Sequence, residues 1–142
     1  MLLVLLAPLL AAAVIGAAYV ALTAQSRRQH QLLGRVVEAA SPDGVSNEPP
    51  SILFFTGESC TICHTAQKPA LDALTVTLDH DVRIREIDIA VQPELARTYR
   101  VMSLPTTIVL NPAGEILSIN VGFASAEKLR GQLVHAGVLA AA

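Results

Sequence analysis

The sequence predicts an α/β domain in which helices flank a mixed β-sheet, and three observations carry that reading. An apolar run, Ile52-Leu53-Phe54-Phe55, is closed by the turn formers Thr56-Gly57-Glu58-Ser59 and followed by a helical pattern with Leu71, Leu74 and Leu78 on one side. A second strand and helix follow at Val82–Ile89 and Pro93–Tyr99. Two β-rich runs then flank Asn111-Pro112-Ala113-Gly114, ahead of a last helical stretch. Strand, helix, strand, helix, strand, strand, helix gives an α/β sandwich around a mixed sheet.

Leu2–Ala24 is 23 residues without a charge, long enough to span a bilayer. A cleaved signal would carry a basic start and a small-x-small cleavage site; no Lys or Arg precedes the run, and Leu22-Thr23-Ala24 is a poor site. Residues 1–25 are therefore expected to be a transmembrane anchor or an uncleaved signal, placing the chain in the cell membrane with a single pass. Arg27, Arg28 and Arg35 after the span lean toward a cytoplasmic domain, with the extracytoplasmic face left open. Residues 26–50 are expected to be an amphipathic stalk, with Leu32, Leu33, Val36 and Val37 at helical spacing, and then a linker, Ser41–Pro50, dense in turn formers.

Residues 51–139 form the expected domain. Val82–Ile89 carries Val82, Ile84, Ile87 and Ile89, a strand pattern with one irregularity. Pro93 suits the first turn of a short helix, and Leu104–Leu110 with Glu115–Val121 reads as an antiparallel pair. Ser125 can cap the last helix, Ala126–Val138. Pro69 is expected to bend or interrupt the helix His64–Leu78.

Composition excludes some functions. Net charge is −2, charged residues are 15% of the chain, and no basic cluster extends beyond Arg27-Arg28, so no nucleic-acid partner is implied. Cys60 and Cys63 are the only two cysteines, which makes a redox pair or half a metal site before it makes a disulfide scaffold.

Residues i and i+3 in a first helical turn share a face, with alpha carbons close enough for a disulfide. A sulfur at a helix N-terminus meets unpaired amides and the macrodipole, which favour its thiolate. Cys60 is therefore the expected nucleophile, and Cys63, a turn deeper, the resolving thiol that attacks the mixed disulfide. Glu58 and His64 are the local candidates for carrying the proton.

With Cys60-Thr61-Ile62-Cys63 after an apolar strand, Asp88 ending the next strand, and a helix running into Val101-Met102-Ser103-Leu104-Pro105-Thr106, residues 51–139 resemble the thioredoxin family. The hairpin around Gly114 and Val121-Gly122 before the last helix complete the resemblance. It implies a minimal thioredoxin-like fold without the first strand and helix, and a cis bond at Leu104-Pro105. It also implies a substrate groove formed by Leu104, Pro105, Thr61 and Ile62, with Thr61 and Ile62 tuning the potential. The implied activity is that of a protein thiol-disulfide oxidoreductase with no cofactor beyond the redox-active Cys60-Cys63 disulfide and no metal. Its implied partners are client proteins with thiols or disulfides and a reductase that donates or accepts electrons.

The chain departs from the family at named positions. Phe54 stands where many members keep a buried acid, Ile84 where its lysine partner is expected, and Ser59 where a tryptophan precedes the first cysteine. Pro69 lies one residue further past Cys63 than the family's kink proline. Two readings compete with the oxidoreductase. A peptide-binding or chaperone-like module would use the groove with little turnover. Cys60–His64 also spells C-x-x-C-H, the attachment pattern of c-type haem with Met102 as a sixth ligand, but the preceding strand and an aromatic content of 4% argue against it.

Overall fold

The computed structural model describes residues 11–21, 23–24, 27, 31–35, 49–78 and 82–135. The chain divides into two compact units, residues 1–31 and 32–142. In the first, residues 11–21 are helical with exposed side chains, and the Thr23 hydroxyl donates to the Val20 carbonyl at 3.0 Å. Among the described residues no helix is long and apolar enough to cross a membrane. Residues 2–10 of the apolar stretch, residues 36–48 of the expected stalk and linker, and residues 136–138 of the expected last helix lie outside the described residues.

The second unit is built on a four-stranded sheet, β1 (Ser51–Thr56), β2 (Arg83–Asp88), β3 (Thr106–Leu110) and β4 (Ile116–Val121), in the order β2-β1-β3-β4. β1 pairs parallel with β2 and antiparallel with β3, and β3 pairs antiparallel with β4, so the sheet is mixed. Helices α1 (Lys68–Thr77), α2 (Pro93–Thr98) and α3 (Ala126–His135) complete it.

β1 is apolar from Ile52 to Phe55 because it is covered on both faces. Ile52 and Phe54 enter one core with Leu71 and Leu74 of α1 and Leu129 and Leu133 of α3. Leu53 and Phe55 enter the other with Ile87, Tyr99 and Ile108. The same two-sided cover explains β2. Its pairing with β1 is continuous, without the irregularity the sequence suggests, because Ile84 packs into the first core and Ile87 into the second. A bulge falls instead between β3 and β4, at Val109/Leu110.

The second unit begins before the expected domain. Residues 31–34 form a turn rather than continuing a helical stalk, and Gly34, at φ 75, adopts the left-handed conformation that stops a helix. Within that unit Leu32 is buried with Phe55, Ile108 and Ile116, and the Gly34 amide donates to the Ile116 carbonyl at 2.9 Å. Ser125 caps α3 with its hydroxyl, which accepts from the Lys128 amide at 3.2 Å.

Candidate active site

β1 delivers the chain to the turn Gly57–Ser59, and helical backbone starts immediately after Cys60. The Cys60 amide donates back to the Gly57 carbonyl at 3.0 Å. The Cys63 amide donates to Cys60 Sγ at 3.2 Å, so this sulfur occupies the place an N-cap oxygen takes in most helices. Cys60 and Cys63 are joined as a disulfide, with an S–S distance of 2.05 Å and alpha carbons 5.3 Å apart. Cys63 is wholly buried, whereas Cys60 is partly exposed. An incoming sulfur can therefore reach Cys60 and not Cys63.

Beyond Cys63 the helix widens. Cys63–Gln67 is a π-helical turn in which the Lys68 amide donates to the Cys63 carbonyl, five residues back. A π-turn holds one residue more than an α-turn, which matches the one-residue displacement of Pro69. The helical backbone runs on through the proline: the turn before it widens, and α1 carries it in its first turn. Gln67, the last residue of the widened turn, is fully buried. Its amide nitrogen donates to the Ala124 carbonyl at 3.0 Å and its oxygen accepts from the Ala124 amide at 2.8 Å, tying this turn to the segment before α3.

The Leu104-Pro105 peptide bond is cis. The loop is held by the Thr106 hydroxyl, which donates to the Ser103 carbonyl at 2.8 Å, and by the Gly122 amide, which donates to the Pro105 carbonyl at 2.8 Å. Leu104 packs against both cores, the first of which includes Cys63, with Cys60 packed against it. It also approaches Gly57 so closely that a Cβ there would lie 3.1 Å from Leu104 Cδ1. The proline loop is thereby seated on the turn that leads into Cys60.

Thr61, Glu58 and His64 are exposed, as is Ile62 at 53%. Further large apolar side chains stand exposed in the loops after α2 and at the end of β4: Met102 at 69%, Val121 at 52% and Phe123 at 51%. His64 Nε2 lies 3.2 Å from the carbonyl oxygens of both Gly57 and Glu58, so it carries a hydrogen toward them and only Nδ1 remains to take up a proton. Phe54 is buried in the same core as Cys63, with Ile84 packed against it, so no carboxylate arises from either position. On the strand next to Phe54, Glu86 accepts a 2.7 Å hydrogen bond from Lys68, and that bond holds the Lys68 ammonium above its ordinary range. Among the described residues no group of three or more His, Cys, Asp or Glu side chains is placed to hold a metal.

Gln67 and Thr107 were not singled out by sequence, and Thr56, read there as a turn former, instead ends β1. Gly57, named as a turn former, carries the further signal of a glycine between a buried strand and a helix-starting cysteine.

The thioredoxin-like domain family matches residues 44–137. A solved structure described only as a malarial protein is 26% identical over 62% of this chain and 97% of its own, with a TM-score of 0.58. Thioredoxin-2 of the malaria parasite, described as a component of the parasite's protein secretion machinery, is 26% identical over 61% of this chain and 82% of its own, with a TM-score of 0.58. StoA from Bacillus subtilis shares the fold at 20% identity, covering 59% of this chain and 81% of its own, with a TM-score of 0.50. No curated protein matches.

Proposed function

The chain belongs to the thioredoxin-like domain family, and on that premise we propose that it is a membrane-tethered protein thiol-disulfide oxidoreductase. The observation that carries the reading is the asymmetry of the pair: an accessible Cys60 sulfur that accepts an amide hydrogen at the start of a helix, bonded to a buried Cys63.

In the reducing direction, a partner dithiol opens the Cys60–Cys63 bond, giving two thiols here and a disulfide on the partner. The Cys60 thiolate, favoured by the Cys63 amide and the helix terminus, attacks a client disulfide. One client sulfur leaves with the electron pair and takes a proton, and a Cys60–client mixed disulfide forms. Cys63 then loses its proton and attacks Cys60 Sγ, which restores the internal disulfide and releases the second client thiolate. The oxidising direction is the same sequence reversed. Leu104 and Pro105 form one wall of the groove, and Thr61 and Ile62, exposed between the cysteines, meet the client.

The second reading, a peptide-binding module with little turnover, draws on the exposed apolar residues Ile62, Met102, Val121 and Phe123. Insulin reduction in the presence of dithiothreitol separates the two. The oxidoreductase turns over, and Cys60→Ser abolishes turnover. A module binds client equally well in both forms and shows no turnover. A haem protein would need both sulfurs for thioethers and His64 Nε2 for iron, whereas here the sulfurs bond each other and Nε2 serves two carbonyls.

The tether rests on the uncharged run Leu2–Ala24, and its orientation sets the direction of electron flow. A reporter fused after Ala142 reads the face. A domain on the cytoplasmic side would be kept reduced and act as a reductant.

A further inference from the structure

Four buried side-chain oxygens have no hydrogen-bond partner among the described residues: those of Thr56, Tyr99, Thr107 and Ser118. Thr56 and Thr107 belong to the sheet face that Cys63 covers. Alternation along β1 places Thr56 on the side of Ile52 and Phe54, and alternation along β3 places Thr107 on the side of Val109. Ile52, Phe54, Val109 and Cys63 share one buried core. Thr107 lies directly across the ladder from Phe54, and Thr56 is two residues beyond Phe54. Neither threonine is more than 3% exposed.

Of the other polar groups on this face, Ser118, across from Val109, is likewise unpartnered among the described residues, and the rest are committed elsewhere or lie at its rim. Asn120, across from Thr107, exchanges two hydrogen bonds with Gln132 at 2.9 and 2.8 Å. Gln67 is bound to Ala124. From β2, Glu86 is paired with Lys68 of α1, and Asp88 accepts from the Ala90 amide at 2.8 Å; both ends of the Lys68–Glu86 pair are exposed. α3 contributes Leu129 and Leu133, and His64 is held outside by two carbonyls. A hydroxyl buried without an acceptor is unfavourable. Cys63 shares this core, and its sulfur is an acceptor whose strength changes with redox state, weak while it is bonded to Cys60 and strong once it is a thiolate.

We propose that Thr107, with Thr56 beside it, donates a hydrogen bond to Cys63 Sγ when the disulfide opens, and thereby stabilises the buried thiolate in a site with no buried acid. The proposal rests on the exchange reading above. In the resolving step the Cys63 proton passes to solvent, the hydroxyl supports the anion left behind, and that anion attacks Cys60 Sγ as the client thiolate departs. The threonine is a positioning residue and undergoes no net chemistry.

Thr107→Val keeps the shape and deletes the hydroxyl. With the full chain equilibrated against glutathione redox buffers, Thr107→Val is expected to shift the equilibrium toward the disulfide by about 3–10-fold. It should also raise the pH midpoint of mixed-disulfide resolution, whereas Thr107→Ser should retain wild-type behaviour and the oxidised form should unfold no earlier than wild type. Thr56→Val, read the same way, gives a smaller shift and serves as the second variant. Equal effects of Thr107→Val on oxidised and reduced stability, with the equilibrium and pH midpoint unmoved, would overturn the proposal while leaving the exchange reading intact. A wild-type chain that never equilibrates with glutathione would overturn both.

Discussion

Leu104 Cδ1 stands 3.1 Å from where a Cβ on Gly57 would be, so the cis-proline loop and the turn before Cys60 meet at a position only glycine leaves free. Gly57→Ala should therefore displace Leu104 by a few tenths of an ångström. The expected loss of stability is about 1 kcal/mol, with a several-fold fall in client reduction. Unfolding in urea and insulin turnover, measured on the same preparation, check this; activity falling no further than the folded fraction would show that the contact does not shape the groove.

His64 holds the same turn from the other side through the Gly57 and Glu58 carbonyls. His64→Ala should cost about 0.5–1.5 kcal/mol and change the alkylation rate of reduced Cys60. His64→Gln, which retains an N–H donor, should recover part of both. Thermal unfolding and iodoacetamide kinetics read the two effects separately.

Gln67→Leu should be among the most damaging substitutions outside the cysteines. It removes both bonds to Ala124 and leaves a buried amide and carbonyl without partners, for a loss of about 2–5 kcal/mol. Urea titration followed by far-UV circular dichroism measures it, and a loss under about 1 kcal/mol would show that the Ala124 backbone finds other partners.

Tyr99 is wholly buried with an unpartnered hydroxyl, 5.7 Å from the Phe55 ring, and burial pushes its pKa up to about 12. The folded state thus holds the phenol proton more tightly than the unfolded chain, whose tyrosine titrates near pH 10. The resulting stability is complete below about pH 10 and is lost as pH rises toward 12, by an amount on the order of 2–3 kcal/mol. Tyr99→Phe should remove this alkaline fall while leaving stability at pH 7 unchanged or higher. Urea midpoints between pH 8 and 12 test the sign.

The legible part of the molecule is the part fixed by local rules. A four-residue apolar run closed by turn formers fits a buried strand, and two cysteines three apart at a helix start share one side. Pro69 looked like a kink because a proline interrupts an α-helix; nothing local announced that the turn before it would widen to absorb one extra residue. Gln67 was illegible for a different reason, since its partner, Ala124, is 57 residues away and offers only backbone atoms. Leu32 read as part of an amphipathic stalk because its spacing was helical, yet its contacts are with the sheet of the second unit. Thr56 looked like a turn former and Thr107 like an ordinary β-branched strand residue, and only the ladder register shows which face they occupy.

The central claim is that Cys60 exchanges its bond to Cys63 for a bond to a client sulfur. The most direct measurement is a trap: the full chain carrying Cys63→Ser, expressed in its membrane and resolved on a nonreducing gel with mass spectrometry of the adducts. Dithiothreitol-sensitive adducts joined through Cys60, and lost in the Cys60→Ser/Cys63→Ser double variant, are the predicted result. Absence of adducts from a folded, membrane-associated protein would contradict the account.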